Sequence, residues 1–374
     1  MSRASLIIDK SESNADLLYK TRFFVPDPCI YIENKGKKIL VLSDLEIDRG
    51  REEATVDSVL SYSQYINKLP ANKRKKAGFT EVVGLIFKEQ KIKIATVPAM
   101  FPLKYADGLR KLGYKIIPKN SEPFFEARLK KNKDEVEFLR QSLRKTADAM
   151  RVAVNIISES EIKNNKLYYN KKILTSELLQ GEINSYLSKW GFTASHTIVA
   201  SGEQGSMPHH SGSGPIIVHT PVVIDIFPRS QHTGYFGDMT RTVIKGEPSK
   251  EVKKMYRVVR EGQKIGINMI KHGVKSKDVH CTIVEYFENS GFSTGNIDGK
   301  QQGFIHSTGH GLGLEIHEPP RVSKGDDLLE AGNVVTIEPG LYYEKLGGIR
   351  IEDVVLVTKK GCEILSRFPK KFQV

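Results

Sequence analysis

Cysteine is scarce in this 374-residue chain: Cys29, Cys281 and Cys362 stand far apart, and no two show the close spacing of a paired metal site. Scattered, odd-numbered thiols argue against a disulfide scaffold and for a reducing compartment. Long hydrophobic runs are missing as well. No segment approaches the roughly 18 apolar residues needed to span a bilayer. Asp9, Lys10, Glu12 and Asp16 break up any apolar stretch after Met1, so no leader of the secretory kind is expected. The expected address is the cytoplasm, with no membrane partner. The strand–helix–strand pattern of the first third also lacks a phosphate-binding glycine fingerprint.

What is present is an ordinary globular mixture, 39% apolar and 27% charged, long enough for two domains. The net charge of +13 raises the question of a nucleic-acid partner. The excess is spread along the chain, with +7 of it in residues 1–128. The tightest run, Lys73-Arg74-Lys75-Lys76, has no interleaved aromatics that could stack on bases. A second, Lys166 to Lys172 with Tyr168 and Tyr169, reads as an exposed loop between helices. A solvated basic surface is expected, not a nucleic-acid site.

The first third reads as a small α/β domain. Cys29–Glu33 and Ile39–Leu42 are β-rich runs joined by a turn-forming Asn34-Lys-Gly-Lys-Lys38, a hairpin signal. Lys91–Ile94 alternates like a half-buried strand. Residues 102–112 read as a helix that Gly113 can stop, and Tyr114–Ile117 as a further strand. A boundary falls near Pro123 to Lys131. Beyond it, Asn132 with Glu135 forms a capping-box signal for a helix over about 133–157. Two halves of one plan follow. The first has helices near 133–157 and 175–190, then strands near 216–227 and 236–245. The second has helices near 249–271 and 276–290, with Ser249 and Ser276 as caps, then strands near 333–338 and 348–357.

Each half delivers two acids on apolar strands. Val222-Val-Ile-Asp225-Ile-Phe, Val334-Val-Thr-Ile-Glu338 and Gly348-Ile-Arg-Ile-Glu352-Asp each place a carboxylate where burial is costly without a cation, donors or a proton. Alternation puts Arg350 and Glu352 on one face, and Asp238, Thr240 and Thr242 on another. One such acid reads as well as a strand end or a buried salt bridge; four are harder to explain that way. A glycine-rich stretch adds His306, His310 and His317 at offsets of 4 and 7. Four carboxylates and an imidazole suit a pair of divalent ions, with Mn²⁺ favoured by oxygen ligands and Zn²⁺, Co²⁺ or Fe²⁺ admitted by the histidine. Such a pair acidifies a bridging water and polarises a carbonyl, so hydrolysis is the natural chemistry.

These motifs resemble the pita-bread metallopeptidases, and within them the aminopeptidase P/prolidase branch. The resemblance rests on Asp225, Gly-Tyr-Phe-Gly-Asp238-Met-Thr-Arg-Thr, Thr-Gly-His310-Gly-Leu-Gly-Leu-Glu-Ile-His317-Glu, Ile-Glu338-Pro-Gly-Leu-Tyr and Gly-Ile-Arg350-Ile-Glu352-Asp. It implies an α+β fold, with a creatinase-type N-terminal α/β domain over 1–128 and a pita-bread catalytic domain over 129–374. It further implies that Asp225, Asp238, His310, Glu338 and Glu352 ligate two metal ions, and that Glu338 helps deprotonate the bridging water. His209, preferred to its neighbour His210, falls at a substrate-binding position. His317 matches a residue that stabilises the tetrahedral intermediate or assists the leaving nitrogen, His306 one that lines the pocket. Tyr342 and Arg350 match pocket and supporting positions.

The implied reaction is removal of the N-terminal residue from Xaa-Pro peptides, by a homodimer. The turn from Asp225 to Asp238 is longer than is usual in the branch, which bears on the substrate entrance; Arg229 and His232 on it read as exposed. Two other readings stay open. One is hydrolysis of a different amide on the same fold, and the other a non-catalytic binding protein.

Overall fold

A computed structural model describes residues 3–374, which divide into two compact units with the boundary between Arg128 and Leu129. The first unit is built on a six-stranded mixed sheet. Its strands run in the order Ser58–Ser61, Lys37–Leu42, Cys29–Asn34, Arg3–Asp9, Ile94–Pro98 and Lys115–Lys119. The hairpin expected from Asn34 to Lys38 is present, with Asn34 paired to Lys37 and Gly36 at φ 80° in its turn. One expectation needs correction, and one strand was not expected at all. The strand read at Lys91–Ile94 lies at Ile94–Pro98, paired in parallel with Lys115–Lys119. The central strand, Arg3–Asp9, carries no turn signal of its own and is defined by partners about 25 and 90 residues away.

The second unit repeats one plan twice. In its first half the helix Lys133–Glu159 starts at Asn132, whose side chain accepts from the Glu135 backbone while Glu135 reaches back, the reciprocal capping box. The helix Ser176–Lys189 follows, capped by Thr175. Both lay apolar faces on an antiparallel sheet of Ile198–Ser201, Val222–Ile226 and Met239–Val243. Between the helices, the Lys166–Lys172 stretch is not a loop. Lys166–Tyr169 is the middle strand of a three-stranded meander, and its Leu167 is fully buried in the first core.

The second half has helices Lys250–Met269 and Ser276–Asn289 against a five-stranded sheet. The sheet runs Glu318–Val322, Gly309–Gly311, Val334–Ile337, Asp353–Val357 and Cys362–Ile364. Ser249 caps the first helix as expected. Ser276 does not cap the second; it is the first helical residue, and its hydroxyl donates to the Gly325 carbonyl at 2.9 Å. The strand expected over 348–357 is two, Gly347–Arg350 and Asp353–Val357, which belong to different sheets.

That break matters because it is where the halves join. The Glu352 N–H donates to the Thr240 carbonyl at 3.1 Å. The Thr242 hydroxyl donates to the Arg350 carbonyl and accepts from the Arg350 N–H, both at 3.0 Å. On the opposite face, buried Arg241 pairs with buried Asp353 at 2.8 Å, and Lys370 reaches the same carboxylate at 2.5 Å. Alternation thus sends Thr240, Thr242 and Glu352 one way and Arg241 and Asp353 the other.

The core makes a direct test possible. Leu179 is fully buried against the first sheet, whereas its neighbour Leu178 is 46% exposed. Leu179→Ala is expected to lower unfolding free energy by about 2–5 kcal/mol, and Leu178→Ala to change it by no more than about 0.5 kcal/mol. Urea titration of the two variants measures both.

Candidate metal centre

The seam between the halves gathers the acids that the sequence had placed on separate strands. Asp225 sits on Val222–Ile226 opposite Thr240 of the antiparallel neighbour. Asp238 enters just before that neighbour, Glu338 just after Val334–Ile337, and Glu352 in the break between Gly347–Arg350 and Asp353–Val357. His310 lies on Gly309–Gly311. The flanking glycines are needed there: a Cβ on Gly309 would sit 1.9 Å from the Thr336 carbonyl oxygen, and one on Gly311 2.5 Å from the Glu318 carbonyl oxygen. Only residues without side chains let the backbone carrying His310 lie this close to its neighbours.

Hydrogen bonds aim these groups. The Thr240 hydroxyl donates to Glu352 Oε2 and the Thr336 hydroxyl to Glu338 Oε1, each at 3.0 Å. Arg350 donates to Asp225 Oδ2 at 2.7 Å. His310 Nδ1 lies 3.1 Å from the Gly311 carbonyl oxygen, which only an N–H can satisfy, so this ring nitrogen carries the proton. The other nitrogen, Nε2, faces Glu338 Oε1 at 3.1 Å and Asp238 Oδ2 at 3.6 Å. A bare nitrogen lone pair aimed at two carboxylates is a repulsive arrangement unless a proton or a cation lies between them.

The electrostatics carry the same message. Burial, then the neighbouring carboxylates, push Asp238 and Glu352 well above the usual carboxylate range. Burial also raises Asp225, against the pull of Arg350. Burial alone would raise Glu338; a proton on His310 Nε2 would outweigh it and bring Glu338 down to about 2, and without that proton the pair needs a cation between them. Two buried oxygens, Asp225 Oδ1 and Glu352 Oε1, have no hydrogen-bond partner. Ligand atoms of Asp238, His310 and Glu352 lie within 4.8 Å of one another. An oxygen-rich donor set with orphaned carboxylate oxygens fits divalent ions, and a lone arginine does not neutralise it.

Beside this cluster opens a cavity of about 640 Å³. Asp225, Asp238, His310, Glu338 and Arg350 form its floor, and His209, His306 and His317 stand on its walls. His210 does not line the cavity; its Nδ1 accepts from the Gly212 N–H at 2.9 Å. Tyr342 does not line the cavity, contrary to the expected substrate contact. Fully buried, it accepts from Arg350 at 2.7 Å and sits 2.9 Å from His306 Nε2. Since His306 Nδ1 lies 2.8 Å from the Ser307 carbonyl oxygen, Nδ1 holds the proton and Nε2 accepts from the Tyr342 hydroxyl. Burial lowers His306 to about 4 and keeps it neutral.

The sequence reading missed other members of the site. His196 and Arg321 line the cavity without any motif to mark them, and Phe227 and Ile316 line it from within quoted motifs that gave them no role. Thr336 was findable, because it precedes Glu338 by two and therefore shares its face, the same alternation that singled out Thr240. Arg229 and His232, on the longer turn, do not line the cavity. That turn instead forms a short pairing with Phe192–Thr193.

Comparison with known proteins agrees with this geometry. Residues 137–359 match the model of metallopeptidase family M24. The chain is 34% identical over 247 residues to an Xaa-Pro dipeptidase of Pyrococcus furiosus, covering 65% of this chain and 64% of that protein. It is 31% identical to an Xaa-Pro dipeptidase of Pyrococcus horikoshii, covering 74% of each. Among solved structures, an X-Pro aminopeptidase from Thermotoga maritima superposes with a TM-score of 0.81 at 26% identity, over 100% of this chain and 98% of that one. The fold is therefore the α+β pita-bread arrangement preceded by an N-terminal domain, as the sequence resemblance implied. Membership of the family entails binding of divalent metal, and by its sequence and fold this chain belongs to metallopeptidase family M24.

Proposed function

We propose that the chain is a metal-dependent exopeptidase that hydrolyses the Xaa-Pro bond at the N-terminus of peptides. The observation that carries the proposal is the convergence of Asp225, Asp238, His310, Glu338 and Glu352, with two unpartnered carboxylate oxygens, beneath a cavity walled by histidines. The Xaa-Pro preference is supported by the names of the relatives. In this reading residues 129–374 form the catalytic domain and residues 1–128 the creatinase-type N-terminal one. The five ligands hold two ions, Mn²⁺ in preference to Co²⁺ or Zn²⁺.

When bound, the ions supply an acidified water and polarise the scissile carbonyl. The protein's own groups do the rest. Glu338, its Oε1 oriented by the Thr336 hydroxyl, accepts the proton of the attacking water. Arg350 holds Asp225 in place and, through Tyr342, fixes His306. His209 contacts the substrate. His317, at the cavity wall, stabilises the tetrahedral oxyanion or delivers a proton to the proline nitrogen. An Xaa-Pro amide has no N–H, so recognition rests on the apolar wall of Ile198, Phe227 and Ile316 together with the histidines. No helix among the described residues is long and apolar enough to cross a membrane, and we place the enzyme in the cytoplasm as a homodimer.

Four outcomes test this. Chelator-treated protein should cleave neither Leu-Pro nor Leu-Pro-Yaa, and Mn²⁺ should restore cleavage; a fully metallated preparation that leaves both intact while cutting Met-Ala or acylated amino acids would redirect the assignment to another amide. His317→Ala should lower kcat by about 10²- to 10⁴-fold, read from initial rates. Light scattering should return twice the chain mass; a monomer removes the dimer.

The fourth concerns pH. Asp238 has a raised pKa in the metal-free fold, so its ionisation costs stability once pH climbs above its unfolded value of about 3.9. Asp238→Asn escapes that cost. The metal-free variant should therefore gain Tm over metal-free wild type as pH rises from 4 to 8, and after Mn²⁺ is added it should be less active than wild type treated in the same way. A Tm difference that is constant with pH would refute the electrostatic reading.

A further inference from the structure

Behind the cavity wall lies a histidine that no motif marks. His280, on the helix Ser276–Asn289, is 3% exposed and shares a 3.0 Å hydrogen bond between its Nδ1 and the Thr308 hydroxyl. Its ring packs on Phe304 with centroids 5.2 Å apart, and Phe304 in turn stands edge-on to His306 at 5.3 Å. Thr308 is itself fully buried, and its carbonyl oxygen accepts the Glu338 N–H at 2.8 Å.

These contacts converge on an irregular stretch. Residues 304–308 run between the single bridge at Gly303 and the strand beginning at Gly309, outside any continuous ladder. Few bonds therefore fix its path. The Phe304 N–H donates to the Thr294 hydroxyl at 2.9 Å, and His306 is held at its tip by Tyr342. The two ends of the stretch, Phe304 and Thr308, are held from behind by His280. Burial, then the charge of Lys324, lowers His280 to about 4, so the ring stays neutral and keeps one fixed donor–acceptor pattern.

We propose that His280 is a positioning residue: its bond to Thr308 and its contact with Phe304 set where His306 and Glu338 stand in the site. It touches neither substrate nor metal; it acts through the 304–308 segment. This rests on the reading of the site as an Xaa-Pro peptidase centre, but its test does not depend on that reading alone. Outer partners that orient ligands are worth about 10- to 100-fold in activity or metal affinity.

The experiment compares wild type with His280→Asn, His280→Phe and Thr308→Val, each by Leu-Pro kinetics and by calorimetric titration of the chelated protein with Mn²⁺. His280→Phe keeps the ring and loses the bond; Thr308→Val removes the bond from its other end; His280→Asn can remake it. His280→Phe and Thr308→Val are expected to lower kcat about 10- to 100-fold, with KM within threefold, and to weaken Mn²⁺ binding through Glu338. His280→Asn is expected to stay within threefold of wild type in both. If His280→Phe fails to fold, as seen by circular dichroism, the Thr308→Val and His280→Asn pair decides. Wild-type kcat and Mn²⁺ affinity in Thr308→Val, or an Asn variant as impaired as the Phe variant, overturns the proposal. Should wild type cleave no Xaa-Pro substrate, the functional reading falls, and the Mn²⁺ titrations still decide the role of His280.

Discussion

Four carboxylates packed into one buried seam repel each other and lose their water, and one arginine among them cannot cancel that charge. Asp225, Asp238, Glu338 and Glu352 come from both halves of the second unit, so the seam that joins the halves is also where negative charge concentrates. An interior this anionic is tolerable with protons or with cations. The raised proton affinities of Asp238 and Glu352, the partnerless oxygens of Asp225 and Glu352, and the His310 lone pair turned toward acids are three consequences of one cause. Divalent ions relieve all three together.

The surrounding structure holds that charge in register. Thr240 and Thr336 each give a hydroxyl to one carboxylate oxygen, leaving the others turned inward. Gly309 and Gly311 let the strand bearing His310 approach its neighbours. One residue beyond Glu352, Asp353 faces the other way and is neutralised within the protein by Arg241 and Lys370. Two adjacent acids on one chain thus have opposite fates. Asp353 has its cations built in, and Glu352 does not; that contrast separates a structural buried acid from a ligand.

Much of this was legible in the sequence because it depends on local rules. Alternation put Arg350 with Glu352 and Thr240 with Asp238 on site-facing sides, and the capping box at Asn132 placed the start of the long helix. What failed depended on distant partners. Arg3–Asp9 is the centre of its sheet only through strands far along the chain. Leu167 is buried by a core that its polar neighbours do not suggest. Ser276 had the right identity for a cap but found carbonyls at Ser323 and Gly325 instead. Tyr342 carried the right motif, yet its hydroxyl serves Arg350 and His306 behind the wall. His280 had no signal at all, being one histidine on a helix whose partner lies 28 residues away.

The central claim is that the seam needs cations, and counting them tests it most directly. Chelated protein would be dialysed against Mn²⁺ and its bound metal measured by elemental analysis, beside Glu352→Gln and a surface control such as Glu363→Gln. The account predicts two ions per chain in wild type and in the control, and fewer in Glu352→Gln. A folded wild-type chain that retains no metal, or a Glu352→Gln variant that binds as much as wild type, would contradict it.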